Sequence, residues 1–219
     1  EKVAKSMGID CESVVLSPAS HAGYYPGAKV MTMKVVFEKD TWKLLGAQIV
    51  GTEGVDKRLD VLATAMHAGM KANMLKDLDL AYAPPFSSAK DPVNMAGFMI
   101  ENIRNGFVKQ YHWDEIAGLP RDGSVTLLDT RTAYEYKSGH IDGYINIPVD
   151  DLRERMNEID DSKPVYVICQ SGLRSYIACR ILTQNGFDCY NFSGGYRFYA
   201  SVIKEKEMSE YTYPCGMEK

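Results

Sequence analysis

The eighteen residues VYVICQSGLRSYIACRIL, 165–182, constrain this chain more than any other stretch. An apolar run ends at Cys169, a small polar loop holds Gly172 and two serines, and apolar residues then recur at helical spacing. The pattern predicts a buried strand over 165–168, a tight loop, and a helix over 175–185. Strand, loop and helix in that order form a unit of parallel sheets, whose ligands sit beyond the carboxyl ends of the strands.

The rest of the second half repeats this alternation. Strands are predicted over 124–128 and 189–192, and helices over 132–138, 152–157 and 197–203. Asp129 and Cys169 therefore stand at the ends of two strands. The first half reads differently, with strands followed by helices. Residues 30–38 alternate Met31, Met33, Val35 and Phe37 against a second face, which is period two. Lys39 and Asp40 make a turn between this strand and another over 43–52, and a further strand is expected over 12–20. A helix is expected over 55–73, with Leu59, Leu62, Ala63, Met66 and Met70 as its core stripe. Asp91 and Pro92 open a last helix lined by Val93, Ala96, Ile100, Ile103 and Phe107. The expected architecture is an α+β domain over 1–107, an antiparallel sheet with helices on one side. An α/β domain with a parallel sheet follows over 108–204, and a tail over 205–219.

With 219 residues the chain is long enough for two such domains. The first half is charge-neutral, and the net charge of −4 resides in the second. There is no basic run, so nucleic acid is not an expected partner. No apolar run approaches the ~18 residues of a membrane span and no signal peptide opens the sequence, so a cytoplasmic address is expected. The five cysteines are scattered, with no CxxC pair, and the four histidines add no ligand spacing; neither a disulfide framework nor a metal site is expected. Cys11, Cys179 and Cys189 read as small apolar side chains, whereas Cys215 sits in the polar tail. Neither GxGxxG nor GxxxxGK[ST] occurs, so no motif here binds a dinucleotide or ATP.

Cys169 is placed for chemistry. A thiol just before a helix start faces free backbone N–H groups and the positive end of the helix dipole, both of which favour thiolate. Gly172 and the serines let the backbone curl into an anion cradle. Two chemistries use such a cradle: phosphoryl transfer through a phosphocysteine, and sulfur transfer through a persulfide. Cysteine phosphatases space the pair as Cys-x5-Arg. Here Cys169 to Arg174 is Cys-x4-Arg, a loop that closes tightly for a phosphate but accommodates one terminal sulfur. Sulfur transfer is therefore favoured; a phosphatase with Asp129 as acid, or an inert loop, are the alternatives.

Three segments resemble a rhodanese domain: LLDTRTAYEYKSGHIDGYINIP (127–148), CQSGLRS (169–175) and NFSGGYRFY (191–199). The resemblance implies that Cys169 carries the persulfide and that the backbone of Gln170, Ser171, Gly172, Leu173, Arg174 and Ser175 cradles it. Asp129 and Arg131 would support the loop, and His140 would fix a neighbouring one. In the first half, HAGYYPGA (21–28), KLLGAQIVGTEGVDKRLDVLATAM (43–66) and AYAPPFSSAKDPVNMAG (81–97) resemble the dimerisation domain of pyridine-nucleotide disulfide reductases, in the coenzyme A-disulfide reductase branch that carries a C-terminal rhodanese domain.

That resemblance implies a homodimer in which Tyr24 or Tyr25, together with Tyr82, completes the partner subunit's thiol site. Read from the residues alone, YYPG is a turn, Tyr-Ala-Pro-Pro is a stiff segment, and such tyrosines pack an interface. The family's FAD and NAD(P)H domains and redox cysteine have no counterpart here. The chain is thus expected to be the C-terminal portion of a longer protein that uses FAD, NAD(P)H and coenzyme A, with small sulfur donors and thiols as its reaction partners. A dimeric module that only binds a partner is the non-enzymatic alternative.

Overall fold

A computed structural model describes residues 1–209, with side chains through residue 204; Cys215 and most of the expected tail lie outside the described residues. The chain divides into two compact units, residues 1–109 and residues from Gln110 onward.

The first unit begins with a short helix α1 (Lys2–Ser6), followed by β1 (Cys11–Leu16), β2 (Thr32–Glu38) and β3 (Leu44–Val50). These strands form an antiparallel sheet in the order β1-β2-β3, with Val14 opposite Val35 and Val35 opposite Ala47. β1 ends before Pro18, which has no N–H to offer a ladder. Met33, Val35 and Phe37 are fully buried, as the period-two pattern requires.

Helices α2 (Val55–His67) and α3 (Pro92–Arg104) pack with the sheet around one core of Val14, Phe37, Leu62, Leu75 and Ile100. Asp91 caps α3 by accepting from the Val93 N–H at 3.0 Å, and Pro92 takes the first helical position. Two expectations change here. The helix expected over 55–73 ends at His67, because Gly69 turns left-handed (φ 71°), and a 3-10 turn follows at Ala72–Asp77. The stripe on α2 is also rotated. Its buried residues are Arg58, Leu62 and Ala65, while Leu59 and Met66 are about two-fifths exposed and Ala63 faces outward. Phe107, expected on the α3 face, is exposed as well.

The second unit contains a five-stranded sheet in the order β4-β8-β7-β5-β6. Its strands are β4 (Lys109–Tyr111), β5 (Thr126–Asp129), β6 (Ile145–Asn146), β7 (Val165–Ile168) and β8 (Cys189–Phe192). The pairings of β5 with β6, β5 with β7 and β7 with β8 are all parallel. Helices α4 (Ala133–Lys137), α5 (Leu173–Gln184) and α6 (Gly195–Ser209) connect and flank the strands. One face packs Val167, Ala178, Cys179 and Leu182; the other packs Tyr111, Ile168 and Phe192. Burial pushes the Cys179 thiol pKa up, consistent with an inert core residue. The helix expected over 152–157 is instead a single 3-10 turn at Met156–Glu158.

Candidate active site

Cys169 follows β7 and is fully buried. Two donors reach its sulfur: the Gly172 N–H at 3.1 Å and the Ser175 hydroxyl at 3.2 Å. The hydroxyl has a second acceptor within reach, the Gly172 carbonyl at 3.1 Å, so its single proton is shared between two orientations. Gly172 is the left-handed N-cap of α5 (φ 97°), so the sulfur lies against the opening turn of a twelve-residue helix. A sulfur anion placed here would receive a backbone N–H, a hydroxyl and the helix dipole together.

The loop is held from below by the start of α6. The Tyr196 N–H donates to the Cys169 carbonyl at 2.7 Å and the Arg197 N–H to the Gln170 carbonyl at 3.0 Å. Gly195 makes this approach possible. A Cβ there would lie 2.6 Å from the Ser171 nitrogen and 2.8 Å from the Cys169 carbonyl oxygen, and the residue is left-handed (φ 70°).

Asp129 and Arg131 form a buried pair beside the loop. Arg131 donates from Nε and Nη2 to Asp129 at 2.7–3.1 Å, and its own N–H caps the same carboxylate at 2.9 Å. The guanidinium also reaches the Gly139 carbonyl at 2.8 Å, meets the Gln170 side-chain oxygen at 3.5 Å, and stacks 4.0 Å over the Tyr196 ring. Thr130 donates from both N–H and hydroxyl to the Ile168 carbonyl, and Asn146 bridges the carbonyls of Asp129 and Arg131. Such a pair is tolerated in the interior because nearly every polar atom has a partner.

The Arg174 side chain is engaged by a carboxylate from another element. It forms a two-pronged ion pair with Glu135 at 2.6 and 2.7 Å, which holds the Glu135 carboxyl down at about 2. Glu135 also closes a capping box with Thr132 at the start of α4. Leu173 is exposed, Ser171 contributes its backbone beneath Gly195, and His140 stacks 4.0 Å from the Tyr136 ring. Glu135 was not singled out from the sequence, and Gly195 and Tyr196 entered only as part of the segment 191–199, with no role of their own. Thr132-x-x-Glu135 carries a capping-box signature, and the Gly-Gly pair before an aromatic residue signals a close backbone approach.

In the first unit Tyr24 and Tyr82, fifty-eight residues apart, meet hydroxyl to hydroxyl at 2.6 Å while both rings stay exposed. That hydrogen bond raises the Tyr82 pKa. Tyr25 turns its ring edge-on to buried His21 instead. Buried Arg58 supports this region: it donates to the Ser20 carbonyl at 2.7 Å, the Phe86 carbonyl at 3.3 Å and the Asp91 carboxylate. Among the described residues no cluster of His, Cys, Asp and Glu could hold a metal, and no helix is long and apolar enough to cross a membrane.

Residues 1–93 match the pyridine nucleotide-disulphide oxidoreductase dimerisation domain, and residues 112–201 match the rhodanese-like domain. The coenzyme A disulfide reductase of Staphylococcus epidermidis is 44% identical over 89 residues, which is 41% of this chain and 20% of that protein. Among solved structures, the reduced CoADR-RHD of Bacillus anthracis superposes with a TM-score of 0.90 at 46% identity, covering 94% of this chain and 37% of that one. An NAD-dependent persulfide reductase from A. fulgidus superposes at 0.81 with 39% identity, covering 90% of this chain and 35% of that one. The chain thus spans about a fifth of that curated relative and just over a third of these structural ones. It belongs to the pyridine nucleotide-disulphide oxidoreductase dimerisation-domain family in its first part and to the rhodanese-like domain family in its second.

Proposed function

We propose that this chain is the dimerisation and sulfur-transfer portion of a flavin-dependent reductase acting on coenzyme A disulfide, coenzyme A persulfide or polysulfide. The observation that carries the sulfur-transfer step is the pair of donors on Cys169, one backbone N–H and one hydroxyl, at the start of α5. The Cys169 thiolate attacks the outer sulfur of a donor. The new S–S bond forms on Sγ, the donor's own S–S bond breaks, and its electron pair leaves with the departing thiolate or sulfite. The outer sulfur of the resulting persulfide carries the negative charge, and the cradle's fixed dipoles stabilise it. A thiol such as coenzyme A then attacks that sulfur and restores Cys169. Asp129, Arg131 and Tyr196 position the loop and touch no reacting atom.

Arg174, engaged by Glu135, leaves no free guanidinium in the loop to grip a phosphate, which weighs against a phosphatase. Neither the GxGxxG nor the GxxxxGK[ST] phosphate loop occurs in this sequence, so no motif here offers a seat for a dinucleotide. In this reading FAD and NAD(P)H belong to the parts of the relatives that this chain does not cover, and the whole protein is a cytoplasmic homodimer. Tyr24 and Tyr82, joined by their hydroxyls, would face the partner subunit's thiol site, with Tyr25 beside them.

The test is intact-protein mass after incubation with polysulfide or an organic persulfide. Wild type gains one sulfur, which a reducing thiol removes; Cys169→Ser gains none. Equal gain in both proteins, or none in wild type, refutes the assignment and favours a dimeric binding module.

A further inference from the structure

Tyr24 and Tyr82 stand on two loops. Residues 17–31 join β1 to β2, and residues 78–91 run from the 3-10 turn to α3. Neither loop carries a helix or a strand of its own. The two rings are 75% and 48% exposed, so burial does not hold them together, yet their hydroxyls meet at 2.6 Å.

The buried guanidinium of Arg58 links the loops. Its Nη2 donates to the Ser20 carbonyl at 2.7 Å and to the Phe86 carbonyl at 3.3 Å, one from each loop. Ser20 lies four residues before Tyr24, and Phe86 four residues after Tyr82. Nη1 donates to the carbonyl of Gly54, the N-cap of α2, at 3.0 Å, and Nε to the Asp91 carboxylate at 3.2 Å. Asp91 is itself fixed by the Val93 N–H at 3.0 Å and the Ser87 hydroxyl at 2.6 Å. The guanidinium is therefore pinned to the starts of α2 and α3 while it holds both loops.

Backbone bonds carry this geometry onward. The Ala22 N–H donates across the loops to the Ser87 carbonyl at 3.0 Å. Within them, the Tyr25 N–H reaches the Ala22 carbonyl at 2.9 Å and the Ser87 N–H the Ala83 carbonyl at 3.0 Å. At 1% exposure Arg58 leaves no room for water to take its place, so its loss strands the carbonyls it serves. Asp91 neutralises its charge at 3.1 Å, and its hold on the phenols is one of geometry rather than of field.

Resting on the reading above, in which the two phenols face the partner subunit's thiol site, we propose that Arg58 is a positioning residue for that site. By holding one carbonyl from each loop it sets the separation of the Tyr24 and Tyr82 hydroxyls. A lysine keeps the charge opposite Asp91, but its single ammonium cannot reproduce the planar fork that reaches Ser20, Phe86, Gly54 and Asp91 together.

The experiment titrates Tyr82 by NMR of labelled tyrosine in this chain, as wild type, Tyr24→Phe, Arg58→Lys and Ile100→Val. The hydrogen bond from Tyr24 raises the Tyr82 midpoint in wild type. Arg58→Lys should lower that midpoint to the Tyr24→Phe value. Ile100→Val, a truncation of the buried core in α3, lowers stability without touching either loop and should leave the midpoint raised. A wild-type midpoint in Arg58→Lys overturns the proposal, as does an equal fall in Ile100→Val, which would make the shift a general loss of stability. If Arg58→Lys does not fold, Gly54→Ala answers instead. Its Cβ would lie 2.2 Å from Arg58 Nη1 and push the guanidinium aside with Arg58 kept, and an unchanged Tyr82 midpoint there refutes the role. If Tyr24→Phe leaves Tyr82 unmoved, the phenols are not paired, and the tyrosine part of the reading above fails together with this inference. If Tyr24→Phe lowers the midpoint and Arg58→Lys does not, only this inference fails.

Discussion

Gly195→Ala should damage the cradle without touching the thiol. Gly195 is left-handed, which costs an alanine roughly 1–2 kcal/mol. Its new Cβ would also press on the Ser171 nitrogen, the Gln170 carbonyl carbon and the Cys169 carbonyl oxygen, all within 2.8 Å. These are backbone atoms and cannot swing aside, so an overpacking cost of about 1–3 kcal/mol is added. The only relief is to part α6 from the loop, which breaks the Tyr196 and Arg197 N–H bonds to the Cys169 and Gln170 carbonyls.

Gly186→Ala is the matched control, because Gly186 is equally left-handed (φ 91°) but has open space around its would-be Cβ. At about 4–8 °C per kcal/mol for a domain of this size, Gly195→Ala should unfold roughly 10 °C below Gly186→Ala in calorimetry. It should also accept sulfur at Cys169 more slowly. Equal melting points in the two variants would show that the close approach of α6 does not hold the loop.

Two further outcomes follow from the ionisable groups. Removing the Tyr24 hydroxyl with Tyr24→Phe should bring the Tyr82 midpoint down toward the ordinary 10.0, read by NMR of labelled tyrosine; an unchanged midpoint would separate the two phenols. Glu135 is depressed from 4.5 to about 2, so its ion pair contributes stability fully above pH 4.5 and loses it as pH falls toward 2. Wild type should therefore lose more stability than Arg174→Gln between pH 4.5 and 2 in urea titrations, and parallel losses would refute the pairing.

Much of this architecture could be read along the chain. Period-two alternation identifies β2, because a pleated strand buried on one face admits little else. The apolar run 165–168 ends where β7 ends, and 189–192 is β8, because each is bounded by residues that cannot continue a buried strand. Asp91-Pro92 marks the start of α3 through local capping chemistry alone. Cys169 was identifiable because strand, small loop and helix are contiguous, so the thiol's relation to the helix N-terminus is local.

What the tertiary structure decided is whatever depends on partners distant in sequence. Leu59 and Met66 fit the stripe expected on α2, yet burial went to Arg58, whose guanidinium finds Ser20 from one segment and Phe86 and Asp91 from another. The short β4 and β6 carry too few residues to show a period and exist because neighbouring strands complete them. The backbone of Arg174 read as part of the cradle from its place in the loop, while the partner of its side chain, Glu135, lies thirty-nine residues away and was not legible. Local pattern determines which segments are strands and helices and where a thiol meets a helix start. Which charge a side chain neutralises is settled only when the fold brings distant residues to hydrogen-bond distance.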